Sequence, residues 1–148
     1  MLRRFNEQSL YYDSSEVEAF RFIIIRSFQG SYLLRVENEN DQVSLHFKEI
    51  IQGYPGEFDS LASEEIVMLP TEYWQELVST FSEMNFWTIE KSRIQIIPME
   101  DGNSIIVEGW WNGNHQVTRG YYLDQESYRK VSAIVNHLTD LTTISQSY

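Results

Sequence analysis

Two apolar-polar runs, Ser104 to Trp111 and Asn114 to Tyr122, meet at the dipeptide Asn112-Gly113. A two-residue turn with positive φ at both central positions matches the right-handed twist of paired strands, and Asn-Gly suits it best. The segment therefore predicts an antiparallel hairpin, since a turn this short joins only antiparallel neighbours. A lone hairpin is marginal in water, so further strands or helices must cover its apolar face.

The rest of the chain supplies them. Phe20, Phe22 and Ile24 fall on one strand face, and Ile23 and Ile25 fall on the other with Arg21. A strand apolar on both faces predicts a central place in the sheet. Gln29-Gly30-Ser31 reads as a turn. Tyr32, Leu34 and Val36 alternate as a second strand, Glu37 to Asp41 reads as a polar turn, and Val43, Leu45 and Phe47 alternate as a third. Residues 52–63 read as a loop on Gly53, Pro55 and Gly56, and Ile66 to Leu69 as a fourth short strand. Thr71 is the expected N-cap of a helix with Trp74, Leu77, Val78, Phe81 and Met84 on one stripe and Asn85 as its stop. Residues 93–98 suggest an edge strand, followed by a turn at Asp101-Gly102. Asp124 is expected to cap a last helix burying Tyr128, Val131, Ile134 or Val135, Leu138 and Leu141. The order β-β-β-(β)-α-(β)-β-β-α predicts an α+β fold, an antiparallel sheet of about five to seven strands with both helices on one face. Residues 1–18 read as a loose arm or short helix, and 19–148 as one domain.

The net charge of −11 is unevenly placed. Residues 37–90 hold twelve acids against Lys48 alone, so this stretch carries the whole excess. Such a field repels nucleic acid and anionic membrane, and attracts basic partners. There is no cysteine, which excludes disulfides, thiolate zinc sites and a cysteine nucleophile. After Arg3 and Arg4 come Asn6, Glu7 and Gln8, where a secretory leader needs an apolar run, so the expected location is cytoplasmic.

Catalytic signatures are lacking. No G-x-S-x-G elbow or phosphate loop occurs, and His46, His115 and His137 lack the close spacing of metal ligands. Glu37, Glu39 and Asp41 alternate like the start of a calcium loop, but one register puts Lys48 at the bidentate position and the next puts Val43 where glycine is required. No metal or cofactor is expected. Arg21, Arg26 and Arg35 on neighbouring strands suggest either an anion pocket or pairing with Glu37 and Glu49.

Two features point to binding. The first is the acidic middle third, with Glu37, Glu39, Asp41, Glu57, Asp59, Glu64 and Glu65 as contact candidates. The second is aromatic: Tyr54, and Trp110-Trp111, whose adjacency sends one ring to each sheet face. The segments Ala19 to Phe28, Trp74 to Trp87 and Asp101 to Gly109 resemble a group of small bacterial α+β proteins with no assigned activity. In size and acidity the chain is similar to immunity proteins of bacterial toxin systems. That second resemblance implies a non-enzymatic protein that covers the active cleft of a basic toxin, such as a nuclease. The alternatives are a ligand-binding or enzymatic domain with a pocket between sheet and helices, and a structural subunit of a larger assembly.

Overall fold

The structure, a computed structural model, describes residues 2–8, 10, 17–26, 30–51, 53, 60–89, 104–120 and 123–142. Six strands form one antiparallel sheet: β1 (Glu18–Ile25), β2 (Ser31–Glu39), β3 (Gln42–Ile51), β4 (Ser60–Leu69), β5 (Ser104–Trp111) and β6 (Asn114–Arg119). Two helices complete the α+β fold, α1 (Thr71–Glu83) and α2 (Gln125–Asp140). The strand order is β4-β3-β2-β1-β5-β6. β1 thus pairs on both edges, with β2 and β5, as its two apolar faces require.

Turn chemistry sets the register. Asn112 and Gly113 take φ of 49° and 74°, so the β5–β6 hairpin closes on the expected two-residue turn. Asn40 and Asp41 take φ of 50° and 62° and close β2–β3 in the same way. Short polar side chains tolerate this left-handed region, which lets the turn contract to two residues. The five-residue turn expected at 37–41 is therefore corrected: Glu37 and Glu39 belong to β2. The loop expected at 52–63 is likewise shorter, because β4 begins at Ser60 and runs ten residues. Alternating exposure along β4 shows why a strand search finds only its apolar end: its outward positions are Glu64, Ile66 and Met68, and its first half is polar.

Both helices pack on one sheet face. Phe20, Phe22, Leu34, Leu45 and Val107 form the floor, and Trp74, Leu77, Phe81, Val131, Val135 and Leu138 close over it. Gly109 admits a close contact on this side, since a Cβ there would stand 2.9 Å from Trp87 Cη2. The N-cap of α1 is Pro70, with no side-chain bond, so Thr71 is the first helical residue rather than the expected cap. Asn85 ends the helical stretch at φ 53°, as its tolerance of that region predicts.

The opposite face carries a smaller cluster of Phe5, Ile23, Leu33 and Ile50. Phe5 arrives on a 3-10 helix, Leu2–Phe5, and Glu7 and Leu10 are also buried. Of the two expectations for the N-terminal segment, its described part fits the short helix, packed on the sheet through Phe5, Glu7 and Leu10. The expected edge strand at 93–98 and the turns at Gln29 and Asp101-Gly102 lie outside the described residues.

Two outcomes follow from these contacts. Phe81 is fully buried against Phe20 and Phe86, so Phe81→Ala is expected to cost about 3–5 kcal/mol by denaturant unfolding. Asp124 caps α2 by accepting from Ser127 N at 2.8 Å, and these bonds to the charged form hold its carboxyl below the usual range. Asp124→Ala should cost about 1 kcal/mol at neutral pH. Because the folded pKa is depressed, the cap's contribution is present above the unfolded value and is lost as pH falls through the folded one. Wild type and variant should therefore converge in stability as pH falls below the ordinary carboxylate value and through the lower folded one.

Candidate functional site

On the face away from the helices, register aligns His46, Arg35, Arg21 and Glu108 in one row across β3, β2, β1 and β5. Arg21 is fully buried, and a buried guanidinium costs several kcal/mol unless paired. Its Nε donates to Glu108 Oε2 at 3.0 Å, and Nη2 contacts the same oxygen. Its Nη1 donates to Glu7 Oε2 at 3.1 Å and to the Gln8 carbonyl at 2.7 Å. Glu7 also contacts Arg35 Nη1, and Lys48 Nζ lies 2.6 Å from its second oxygen. Three cations on three adjacent strands thus converge on one carboxylate from the N-terminal segment.

The flanking acids complete the network. Arg35 Nε lies 2.7 Å from Glu37, His46 Nε2 3.2 Å from Glu37, and His115 Nε2 2.9 Å from Glu108. Glu37 and Glu49 do take arginines as expected, but Glu37 takes Arg35 from its own strand rather than across strands, and Glu49 takes Arg26 at 3.4 Å. Arg21 instead takes Glu7 and Glu108. Sequence reasoning missed both, although an arginine in the most apolar strand already demanded a buried partner.

The contact candidates separate into three groups. Glu37 turns into the network, and Glu64 lies 3.5 Å from Lys48 with half its side chain exposed. Glu65 is half-buried on the helix-facing side, opposite Phe47. Tyr54, Glu57 and Asp59 lie outside the described residues. Glu39 and Asp41 remain exposed, at one end of the sheet. The register of Val43 with Leu69 sets their turn beside the β4–α1 junction, where Glu72 is also exposed.

The same end holds the tryptophans. Ala19 pairs with Trp110 while Glu18 pairs with Asn38, so the β5–β6 tip and the β2–β3 turn share this end. Trp111 packs on the helix side against Trp87, with ring centroids 5.9 Å apart, and Trp110 stands on the other face 6.1 Å from His115. Both are half-buried. Glu18 accepts from Asn112 N at 2.7 Å and steadies the tip. Segments 37–42, 69–73 and 110–115 contain no lysine or arginine, so this end presents acids beside aromatic surface.

Other chemistry finds less to build on. Arg21, Arg35 and His46 face away from the helices and are engaged by Glu7, Glu37 and Glu108. A groove of about 160 Å³ runs between α1 and α2, lined by Tyr73, Leu77, Thr80, Ile134 and His137. Pockets for drug-sized ligands span about 300–1,000 Å³, so this groove suits only a very small molecule. Among the described residues no three histidines or acids stand close enough to hold a metal ion. No helix among them is long and apolar enough to cross a membrane. No family model matches this chain, and no curated protein matches its sequence.

Glu7 is the test of the network. Glu7→Gln removes the charge shared by Arg21, Arg35 and Lys48 and should cost about 3–5 kcal/mol. Exposed Glu39→Gln should stay within about 0.5 kcal/mol of wild type in the same urea titration.

Proposed function

We propose that this chain is an acidic protein-binding module, most concretely an immunity protein that neutralises a basic toxin, such as a nuclease, by covering its active cleft. The observation that carries the reading is the acidic end: Glu39, Asp41 and Glu72 are exposed at one end of the sheet, with no base in the same segments, and Trp110 and Trp111 lie at that end across β1. Acids set in this way speed the approach of a basic surface, and aromatic anchors hold it once water is excluded. Size and acidity like those of immunity proteins support the choice of partner class.

The test begins with the partner captured from the source cell and purified. Stoichiometric addition of this chain should abolish that partner's activity. The triple variant Glu39→Gln, Asp41→Asn, Glu72→Gln should associate at least tenfold more slowly at low salt, and the gap should close at high salt. Its stability should fall by less than about 1 kcal/mol, because exposed charges contribute little. An acidic partner, or equal association rates at low salt, would refute the reading.

A further inference from the structure

The exposed large apolar side chains among the described residues are Ile51, Leu61, Ile66 and Met68, and all four lie on one margin of the sheet. Three belong to β4, where Leu61, Ile66 and Met68 are 43%, 58% and 63% exposed. Ile51 ends β3, opposite Ser60. Ile66 and Met68 are the register partners of His46 and Ser44, so they share the face away from the helices. Ile66 and Met68, two residues apart, adjoin on that face, and adjoining exposed apolar side chains mark an interaction site where scattered single ones do not.

β4 is also an edge. Among the described residues it pairs only with β3, so its outer row of backbone groups faces no second strand among them. Edges are usually blunted by shortness, lysine, proline or a bulge. The other margin, β6, has six residues and ends at Arg119. β4 has ten residues, no lysine and no proline before Pro70. The register shift between Glu49 and Ile50 sits near its first residues, so 63–69 pair with β3 without interruption. Seven residues of ladder give about 23 Å of regular edge.

We infer that β4 is a docking edge for an extended, basic segment of the partner, which adds to the sheet as a seventh strand. Its apolar residues would lie beside Ile66 and Met68, and its alternating lysines or arginines on the other side, near Glu65 and the Asp41–Glu72 end. Charge chooses this occupant over a second copy of the chain, since two copies would each bring a net charge of −11 to the contact. In an antiparallel self-pairing centred near residue 65 the acids Glu64 and Glu65 would also meet their own kind. The inference rests on the proposed reading for the basic sign of the partner and adds the mode of contact, main-chain pairing along an edge.

The experiment uses the full chain and two blocked seven-residue peptides, one alternating valine with lysine and one alternating valine with glutamate. The valine-lysine peptide should slow amide exchange at alternate positions of 61–69 at least tenfold, and the glutamate peptide should not. The double variant Ile66→Ser, Met68→Ser should bind the first peptide at least tenfold more weakly with an unchanged unfolding midpoint, because both side chains are exposed. Protection confined to Glu39–Asp41 and Glu72 would overturn the edge inference while leaving the charge-driven reading intact. Equal protection by both peptides would overturn the basic chemistry of the occupant and the reading with it. Protection of β4 without peptide would overturn the inference too: a doubled mass would identify a second copy, and a monomeric mass would identify the chain's own cover.

Discussion

Arg21 sits where a charge is hardest to keep, on the central strand, fully buried, with strands on both sides. Water cannot reach it, so the fold must bring carboxylates to it or lose several kcal/mol. Glu108 comes from β5, 87 residues away, and Glu7 comes from the N-terminal segment. Meeting that one requirement fixes which strand lies beside β1 and ties the N-terminal segment to the sheet. It also keeps the face away from α1 and α2 from being wholly apolar, since Arg35, Lys48 and His46 are drawn into the same system. An apolar strand of similar shape would be as stable or more so. What the ions add is a register with one solution, because a one-residue slip of β2 or β5 would turn their paired charges toward the helix core.

This network also reinterprets the acidity of the middle third. Glu37 and Glu49 are engaged by Arg35 and Arg26, so they act inside the structure, whereas Glu64 is shared between Lys48 and solvent. The field felt at the sheet end comes from Glu39, Asp41 and Glu72, which protrude from a turn and a helix start. Counting charge along the chain cannot separate these groups. Alternation does so once the turn is known to be two residues long: Glu37 then joins the arginine face as an interior position of β2.

The legibility of the sequence followed the range of the forces involved. Features set by neighbours in the chain were readable: the Asn112-Gly113 turn, the α1 stripe, the Asp124 cap and the central character of β1. The N-terminus of α1 misled because Thr71 is a good capping residue, yet Pro70, with its fixed φ of −58°, takes the cap position without a side-chain bond. β4 was cut short because strand signals weigh apolar residues, whereas its first half holds serine and glutamate against a half-covered face. The partners of Arg21 were not readable, since nothing local says that Glu7 folds back or that β5 lies beside β1. Among the binding candidates, Glu39, Asp41, Trp110 and Trp111 share one end of the sheet. That convergence follows from strand order, which composition does not encode.

The ionic face and the open margin are linked by the same ladder. The row that begins at Glu108 and passes through Arg21, Arg35 and His46 reaches the margin at Ile66. Each of the three inner strands in that row is anchored to a neighbour by a charge contact, and Glu7 clamps them from above. A margin held in this way loses little freedom when a strand is added to it, because its backbone is already extended and paired on the inner side. Ordering costs are a main reason that interface area converts poorly into affinity, so a rigid edge recovers more of its contact energy than a mobile loop would. In the proposed reading the acids at the neighbouring turn would act earlier, while a basic partner is still separated by about a Debye length, ~8–10 Å. On that reading long-range attraction falls to Glu39 and Asp41 and short-range pairing to β4.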